Sequence, residues 1–164
     1  MKDVSNLEPA GGSRITPRLV ETLYTEAMLL ADEARTYFDI GSRADRDLLE
    51  PFVRVGFACE SLKVTTRLMH IIAWLLTQRA VETGELSVAS GRRPERRLGH
   101  AGASDPSVVE QLPPAARTLI STSIDLYERV RRLDEEQLND QPVPSPARAL
   151  MGRLERDLIW NSNR

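Results

Sequence analysis

The residues that could take part in acid–base, nucleophilic or metal chemistry are few and stand apart in this sequence. His70 and His100 are the only histidines, and neither has a partner at the spacing of a metal site. Cys59, the single cysteine, falls on an apolar helical stripe, where a small buried side chain is expected instead of a nucleophile. The sequence also lacks a glycine-rich phosphate loop and the H-E-x-x-H, C-x-x-C and G-x-S-x-G motifs. We therefore expect no catalytic residue, metal or cofactor.

An arginine cluster is the strongest local charge feature of the chain. It consists of Arg92, Arg93, Arg96 and Arg97. Such a cluster could contact nucleic-acid phosphates, so a small helical DNA-binding or transcription-associated regulator is one interpretation. However, Pro94 and Glu95 interrupt the cluster, no aromatic side chain is interleaved for base stacking, and the net charge is -2. We favour a solvated loop or an acidic protein partner, and nucleic acid is not the expected partner.

The elements that position these residues are predicted to be helices of one domain. The chain has 164 residues, of which 41% are hydrophobic and 28% charged, and it is rich in Leu, Ala, Arg and Glu. Thr16 followed by Pro17 is a typical helix start, and apolar residues then recur every three or four positions over residues 17–38. A second helix is expected from a start between residues 45 and 51 to about residue 83, where Gly84 ends it. A third follows Pro113 and Pro114 and ends near residue 138.

The second predicted helix carries two apolar stripes on different sides. The first stripe consists of Phe52, Val55, Cys59, Leu62, Thr66, Met69, Ala73, Leu76 and Ala80. The second stripe consists of Val64, Leu68, Ile71 and Leu75. Together they cover more than half of the helix circumference, so both partner helices and a second subunit should cover this helix. We expect a homodimer with the second stripe in its interface, and a possible bend or break at Gly56.

Two side chains on the polar side of that helix admit alternative interpretations. Trp74 lies beside Arg67 on the helical wheel, away from both stripes. Another segment of the chain or the second subunit could cover Trp74. Alternatively, Trp74 and Arg67 could form an exposed anchor for a protein partner, since tryptophan and arginine are frequent in interface hot spots.

The remaining segments predict the domain organisation. Residues 84–106 are rich in Gly, Ser, Ala and Arg without periodicity, so we expect a mobile connection. Residues 1–15 are expected to be a flexible lead-in, residues 16–138 the bundle, and residues 139–164 a proline-rich linker with a flexible, partly helical tail. The tail carries the apolar stripe Leu150, Met151, Leu154 and Leu158. It should either dock on its own bundle or fold in a partner's groove. No secretory signal or membrane-spanning run is evident, which favours a cytoplasmic protein.

Two sequence strings resemble a known family. ESLKVTTRLM (residues 60–69) and AWLLTQRAV (residues 73–81) are similar to the alphaproteobacterial regulator of CtrA degradation, the RcdA family. LLADEA (residues 29–34) and Gly84-Glu85 fit the same resemblance, which covers about residues 20–133. It implies a dimeric bundle at a cell pole or elsewhere in the cytoplasm. It also implies a non-enzymatic adaptor that, with other regulators, delivers cargo such as response regulators to the ClpXP protease in cell-cycle control.

The sequence thus predicts an all-α protein, an antiparallel three-helix bundle with a long central second helix. Its expected partners are a second copy, the ClpXP machinery or its regulators, and the cargo. The expected partner-binding residues are Arg67, Trp74, Arg92, Arg93, Arg96, Arg97, Leu150, Leu154 and Leu158.

Overall fold

The computed structural model describes residues 15–139, and within that range the chain is a bundle of α-helices without a strand. The helices are α1 (Pro17–Arg35), α2 (Arg43–Asp47), α3 (Pro51–Glu82), α4 (Val88–Gly91), α5 (Pro106–Val109) and α6 (Pro114–Asn139). The predicted all-α bundle with a long central helix is confirmed. The predicted lead-in, linker and tail lie outside the described residues, apart from their few residues next to the bundle.

α1 begins at the predicted cap and continues into a π-helical turn. The hydroxyl of Thr16 accepts a hydrogen bond from the backbone N–H of Leu19 at 3.2 Å, and Pro17 occupies the first turn, where its missing N–H costs nothing. The π-helical turn Thr36–Gly41 extends the helical segment past residue 38. Phe38 in this turn is buried against Phe57 of α3, with 5.4 Å between ring centroids. The wider turn therefore closes one end of the core.

α3 runs without interruption through Gly56, so the helix does not break there. A Cβ atom at Gly56 would lie 2.7 Å from Cγ1 of Val108, which is closer than real Cβ atoms approach. The missing side chain therefore allows α5 to pack directly against α3. Gly84 follows the helix with a φ of +77°, in the left-handed region that favours glycine, and confirms the predicted stop.

The two other long helices pack on α3 in opposite directions. α1 is antiparallel to it, because Glu21 near the start of α1 pairs with Arg79 near the end of α3. α6 is parallel to α3, because Ser123 bonds to Arg67 and the later Asp134 bonds to the later Trp74. The bundle therefore has one antiparallel and one parallel contact around α3. In the predicted antiparallel bundle, each long helix would reverse the direction of the one before, so α6 would be antiparallel to α3. In the structure α6 is parallel to α3.

The connection between α3 and α6 is the reason for this direction. It leads back along α3, from Gly91 beside Val81 to Gly99 against His70 and then to Val108 beside Gly56. The hydroxyl of Tyr127 donates to the carbonyl oxygen of Gly99 at 2.8 Å. The segment is hydrogen-bonded to both long helices, to α3 through Arg67 and to α6 through Tyr127, and its mobility stays a prediction. A Cβ atom at Gly99 would lie 2.1 Å from the His70 ring, so glycine permits the approach.

Candidate protein-binding surface

Most of the first stripe of α3 is a line of exposed apolar side chains, with the half-buried Thr66 and Ala80 as the exceptions. Phe52 is 84% exposed, Leu62 69% and Met69 66%. Cys59 on the same stripe is also exposed, so the prediction of a buried thiol is wrong. The alternating spacing of three and four residues is that of a coiled-coil contact face, and no charged residue occupies any of its positions. This face of α3 is therefore apolar over nearly the whole helix and uncovered within the described chain.

The second stripe forms the core of the single chain. Val64, Ile71 and Leu75 have no exposed surface, and Leu68 is nearly as buried. The assignment of these residues to a dimer interface is corrected, because the packing of α1 and α6 already covers them. The second stripe is thus inside the chain and the first is exposed. Both are apolar, and only the placement of the neighbouring helices decides which one is inside.

Trp74 and Arg67 are also internal, at 2% and 3% exposure. The indole Nε1 of Trp74 donates to Oδ1 of Asp134 at 2.8 Å. Of the two interpretations of Trp74, cover by the same chain is correct, and neither side chain belongs to a protein-binding surface. Their polar groups point at α6 and at the connection, which the helical wheel of α3 alone does not represent.

The guanidinium of Arg67 joins α3 to both α6 and the connection. It donates to the hydroxyl of Ser123 at 3.3 Å, to the carbonyl oxygen of Gly102 at 3.0 Å and to the hydroxyl of Ser104 at 2.7 Å. Burial lowers the pKa of Arg67, while the nearby charge of Glu60 acts in the opposite direction. Arg67 is therefore a structural cation that fixes the path of the connection.

Glu60 and Asp134 are buried carboxylates that the sequence analysis did not single out. Glu60 accepts hydrogen bonds from the Lys63 ammonium at 2.7 Å and from the Ser104 hydroxyl. A signal for both existed in the sequence, since Glu60 lies four residues before Val64 of the second stripe, and Asp134 lies four residues after the buried Val130. A carboxylate in line with core positions must find partners, because an unpaired buried charge is costly.

The arginine cluster separates into one structural residue and three surface residues. Arg97 donates through Nε and Nη2 to the two carboxylate oxygens of Asp134, at 2.8 and 2.7 Å. Hydrogen bonding to Asp134 raises the pKa of Arg97. Arg93 lies 3.9 Å from the carboxylate of Glu95 and is exposed, and Arg92 and Arg96 are half-buried. Within the cluster, Arg92, Arg93 and Arg96 are the residues that present their charge at the surface.

Grooves flank the first stripe on both sides. The groove between α1 and α3 has a volume of about 380 Å³ and includes Ala31, Thr65 and Ile72. A smaller one of about 200 Å³, between α3 and α5, is lined by Cys59 and Val108 among others. The exposed apolar face of α3 is therefore the centre of a wider apolar surface.

The other predicted residues do not come together as a reactive site. His70 is half-buried against Gly99, whereas His100 is exposed in the connection. Among residues 15–139, no group of three or more His, Cys, Asp or Glu side chains could hold a metal ion. The helices in the same range are all too short or too polar to cross a membrane. The tail residues Leu150, Leu154 and Leu158 lie outside the described residues.

Comparison with known proteins identifies a matching family and a similar solved structure. The family described as "Protein of unknown function (DUF1465)" matches residues 12–158. The crystal structure of RcdA from Caulobacter crescentus CB15 is similar at 31% sequence identity and a TM-score of 0.61. That match covers 77% of this chain and 96% of the RcdA chain. No curated protein matches this chain.

Proposed function

The chain belongs to the DUF1465 family and is RcdA-like, and from this membership we propose that it is a non-enzymatic adaptor. It binds proteins and promotes their delivery to the ClpXP protease in regulated, cell-cycle proteolysis, in the cytoplasm and at a cell pole. The observation that carries the proposal is the exposed first stripe of α3. A contiguous apolar patch on a small protein is typical of a protein-interaction site, whereas single exposed apolar residues are ordinary.

A second copy of the chain is the proposed occupant of the first stripe. Its alternating spacing suits helix-to-helix packing, in which side chains of one helix insert between those of the other. Small residues such as Cys59 and Ala73 alternate with the large Leu62 and Met69, which leaves space for side chains of a facing helix. The homodimer interface is thus proposed on the first stripe, in place of the second.

Other surfaces of the adaptor are proposed to contact the protease machinery and its cargo. Arg92, Arg93 and Arg96 suit an acidic protein partner, and the tail residues Leu150, Leu154 and Leu158 suit an apolar groove. The DNA-binding alternative has less support, because Asp134 engages Arg97 and Glu95 lies beside Arg93.

The dimer is tested with a matched pair of exposed leucines. Leu62 on the first stripe is 69% exposed and Leu29 on the outer side of α1 is 67% exposed. We expect Leu62→Asp to convert the dimer into an 18.4 kDa monomer in sedimentation at low micromolar concentration, because an unpaired charge would enter the apolar contact. Leu29→Asp should remain dimeric. A wild-type protein that sediments as a monomer contradicts the dimer.

The adaptor role is tested by capture from an alphaproteobacterial lysate and by reconstitution. We expect the ClpXP unfoldase or its regulators to co-purify with the wild-type chain. In a purified reaction with those regulators, the chain should accelerate the degradation of a response-regulator cargo. Unchanged degradation with and without the chain, together with no captured protease component, would reject the proposal whatever the oligomeric state.

A further inference from the structure

The groove between α1 and α3 is separate from the first stripe, although the two share Met69 at their border. Its walls include Ala31 and Phe38 from the α1 side and Leu68 and Ile72 from α3. We propose that residues 147–158 of the same chain occupy this groove as an amphipathic helix. This inference concerns the resting chain and does not depend on delivery to a protease.

The length of the apolar stripe in residues 147–158 agrees with the length of the groove. Leu150, Leu154 and Leu158 recur every four residues, and at 1.5 Å per residue they span about 12 Å of a helix. The α3 side of the groove extends from Ser61 to Ile72, which corresponds to about 16 Å along the helix. A helix-in-groove contact places residues of this spacing on one apolar wall.

The chain outside the structure is long enough to reach the groove. α6 ends beside the last turns of α3, where the Gln137 side chain donates to the side chain of Gln78. Ile72 is six residues earlier, about 9 Å along the axis, and the crossing from α6 to the far side of α3 adds about 10–20 Å. Taken at right angles, these two steps combine to about 13–22 Å. Residues 140–146, which precede the proposed helix, can extend over about 23 Å, so the segment can reach the groove.

The groove between α3 and α5 is a poorer match for residues 147–158. Its α3 residue nearest to Gln78 is Lys63, which lies 15 positions earlier, about 22 Å along the axis before any sideways step. This axial step alone would use nearly the whole extended length of residues 140–146, about 23 Å. A third groove, of about 230 Å³, lies beside the end of α6 and is within reach, but half of its lining residues are polar, namely Gln78, Glu82, Arg92 and Gln137. Reach and apolar lining together therefore favour the groove between α1 and α3.

Amide hydrogen exchange of the full-length chain, followed over residues 147–160, tests the proposal. Thr65→Glu places a charge on the groove wall, and Thr118→Glu is its control on the outer face of α6. Both threonines are exposed, and the hydroxyl of each donates to the carbonyl four residues earlier. We expect exchange over residues 150–158 to become about tenfold faster in Thr65→Glu and to stay unchanged in Thr118→Glu. Leu154→Asp, which alters the tail and leaves the bundle intact, should reproduce the faster exchange.

Several results would overturn the inference. Exchange of residues 150–158 at the rate of an unstructured peptide in the wild-type chain means that the groove is empty. Equal exchange rates in the wild type, Thr65→Glu and Thr118→Glu mean that the tail docks elsewhere. Exchange that accelerates on dilution means that the tail comes from a second copy. The exchange assay contains no cargo or protease. A negative result would therefore reject the docking of the tail without rejecting the adaptor role, and a failed degradation assay would reject the adaptor role without rejecting the docking.

Discussion

Removal of the Asp134 side chain should destabilise the bundle clearly, although the side chain is small. It is 4% exposed and accepts hydrogen bonds from the Trp74 indole and from two nitrogens of Arg97. In Asp134→Ala the buried Trp74 N–H loses its partner, which costs about 1–3 kcal/mol. Arg97 is partly solvated, so the loss of its partner adds only about 1 kcal/mol. We expect the free energy of unfolding to fall by about 2–4 kcal/mol.

Urea unfolding at one fixed protein concentration measures this loss. Glu135→Ala is the matched control, since Glu135 is the exposed neighbour of Asp134 and its ion pair with Arg131 is at the surface. Such a pair is worth less than about 1 kcal/mol. Asp134→Asn should lose less than Asp134→Ala, because the amide oxygen can still accept from the Trp74 indole. Equal losses for Asp134→Ala and Glu135→Ala would refute the reasoning, because the buried hydrogen bonds would then have no special value.

Two further substitutions test close packing and proton linkage. Gly56→Ala gains about 1 kcal/mol of helix propensity, but its Cβ would crowd Val108, and overpacking costs about 1–3 kcal/mol. Thermal melts should therefore show no stabilisation unless Val108→Ala is combined with it, and a clear gain in the single variant would contradict the contact. For Tyr37, burial and the hydrogen bond to Asp45 raise the pKa to about 12, whereas the unfolded phenol titrates near 10. The neutral phenol thus stabilises the fold below pH 10, and this contribution is lost as the pH rises to 12. The urea midpoint should fall more between pH 9 and 11 in the wild type than in Tyr37→Phe, and an equal fall would contradict this assignment.

Local signals in the sequence were sufficient for the three long helices, although they did not predict the short α2 and α4. The hydroxyl cap at Thr16, the positive-φ glycine at position 84 and the three- and four-residue spacing depend on neighbours within one or two turns. The side of α3 that faces inward was not predictable in this way. Val64 and Leu62 are equally apolar in sequence, and only the packing of α1 and α6 makes the first buried and the second exposed.

The direction of α6 and the burial of Trp74 depend on contacts far apart in the chain. Trp74 is covered through Asp134, sixty positions later, and Arg67 through Gly102, thirty-five positions later. Residues 83–113 can extend roughly 100 Å, about twice the length of α3, so their length permits either direction of the next helix. Their composition, rich in glycine and serine, was compatible with a mobile connection and equally with one that lies close against two helices.

The polar pairs between α3 and α6 have a consequence for the register of the two helices. An interface made of aliphatic side chains alone can slide by one turn, about 5.4 Å, and find similar contacts again. Here Arg67 meets Ser123, and Trp74 meets Asp134. A slip by one turn would leave buried donors without acceptors, at about 1–3 kcal/mol each. The buried polar groups therefore select one axial alignment of α6 among several that the aliphatic core would accept.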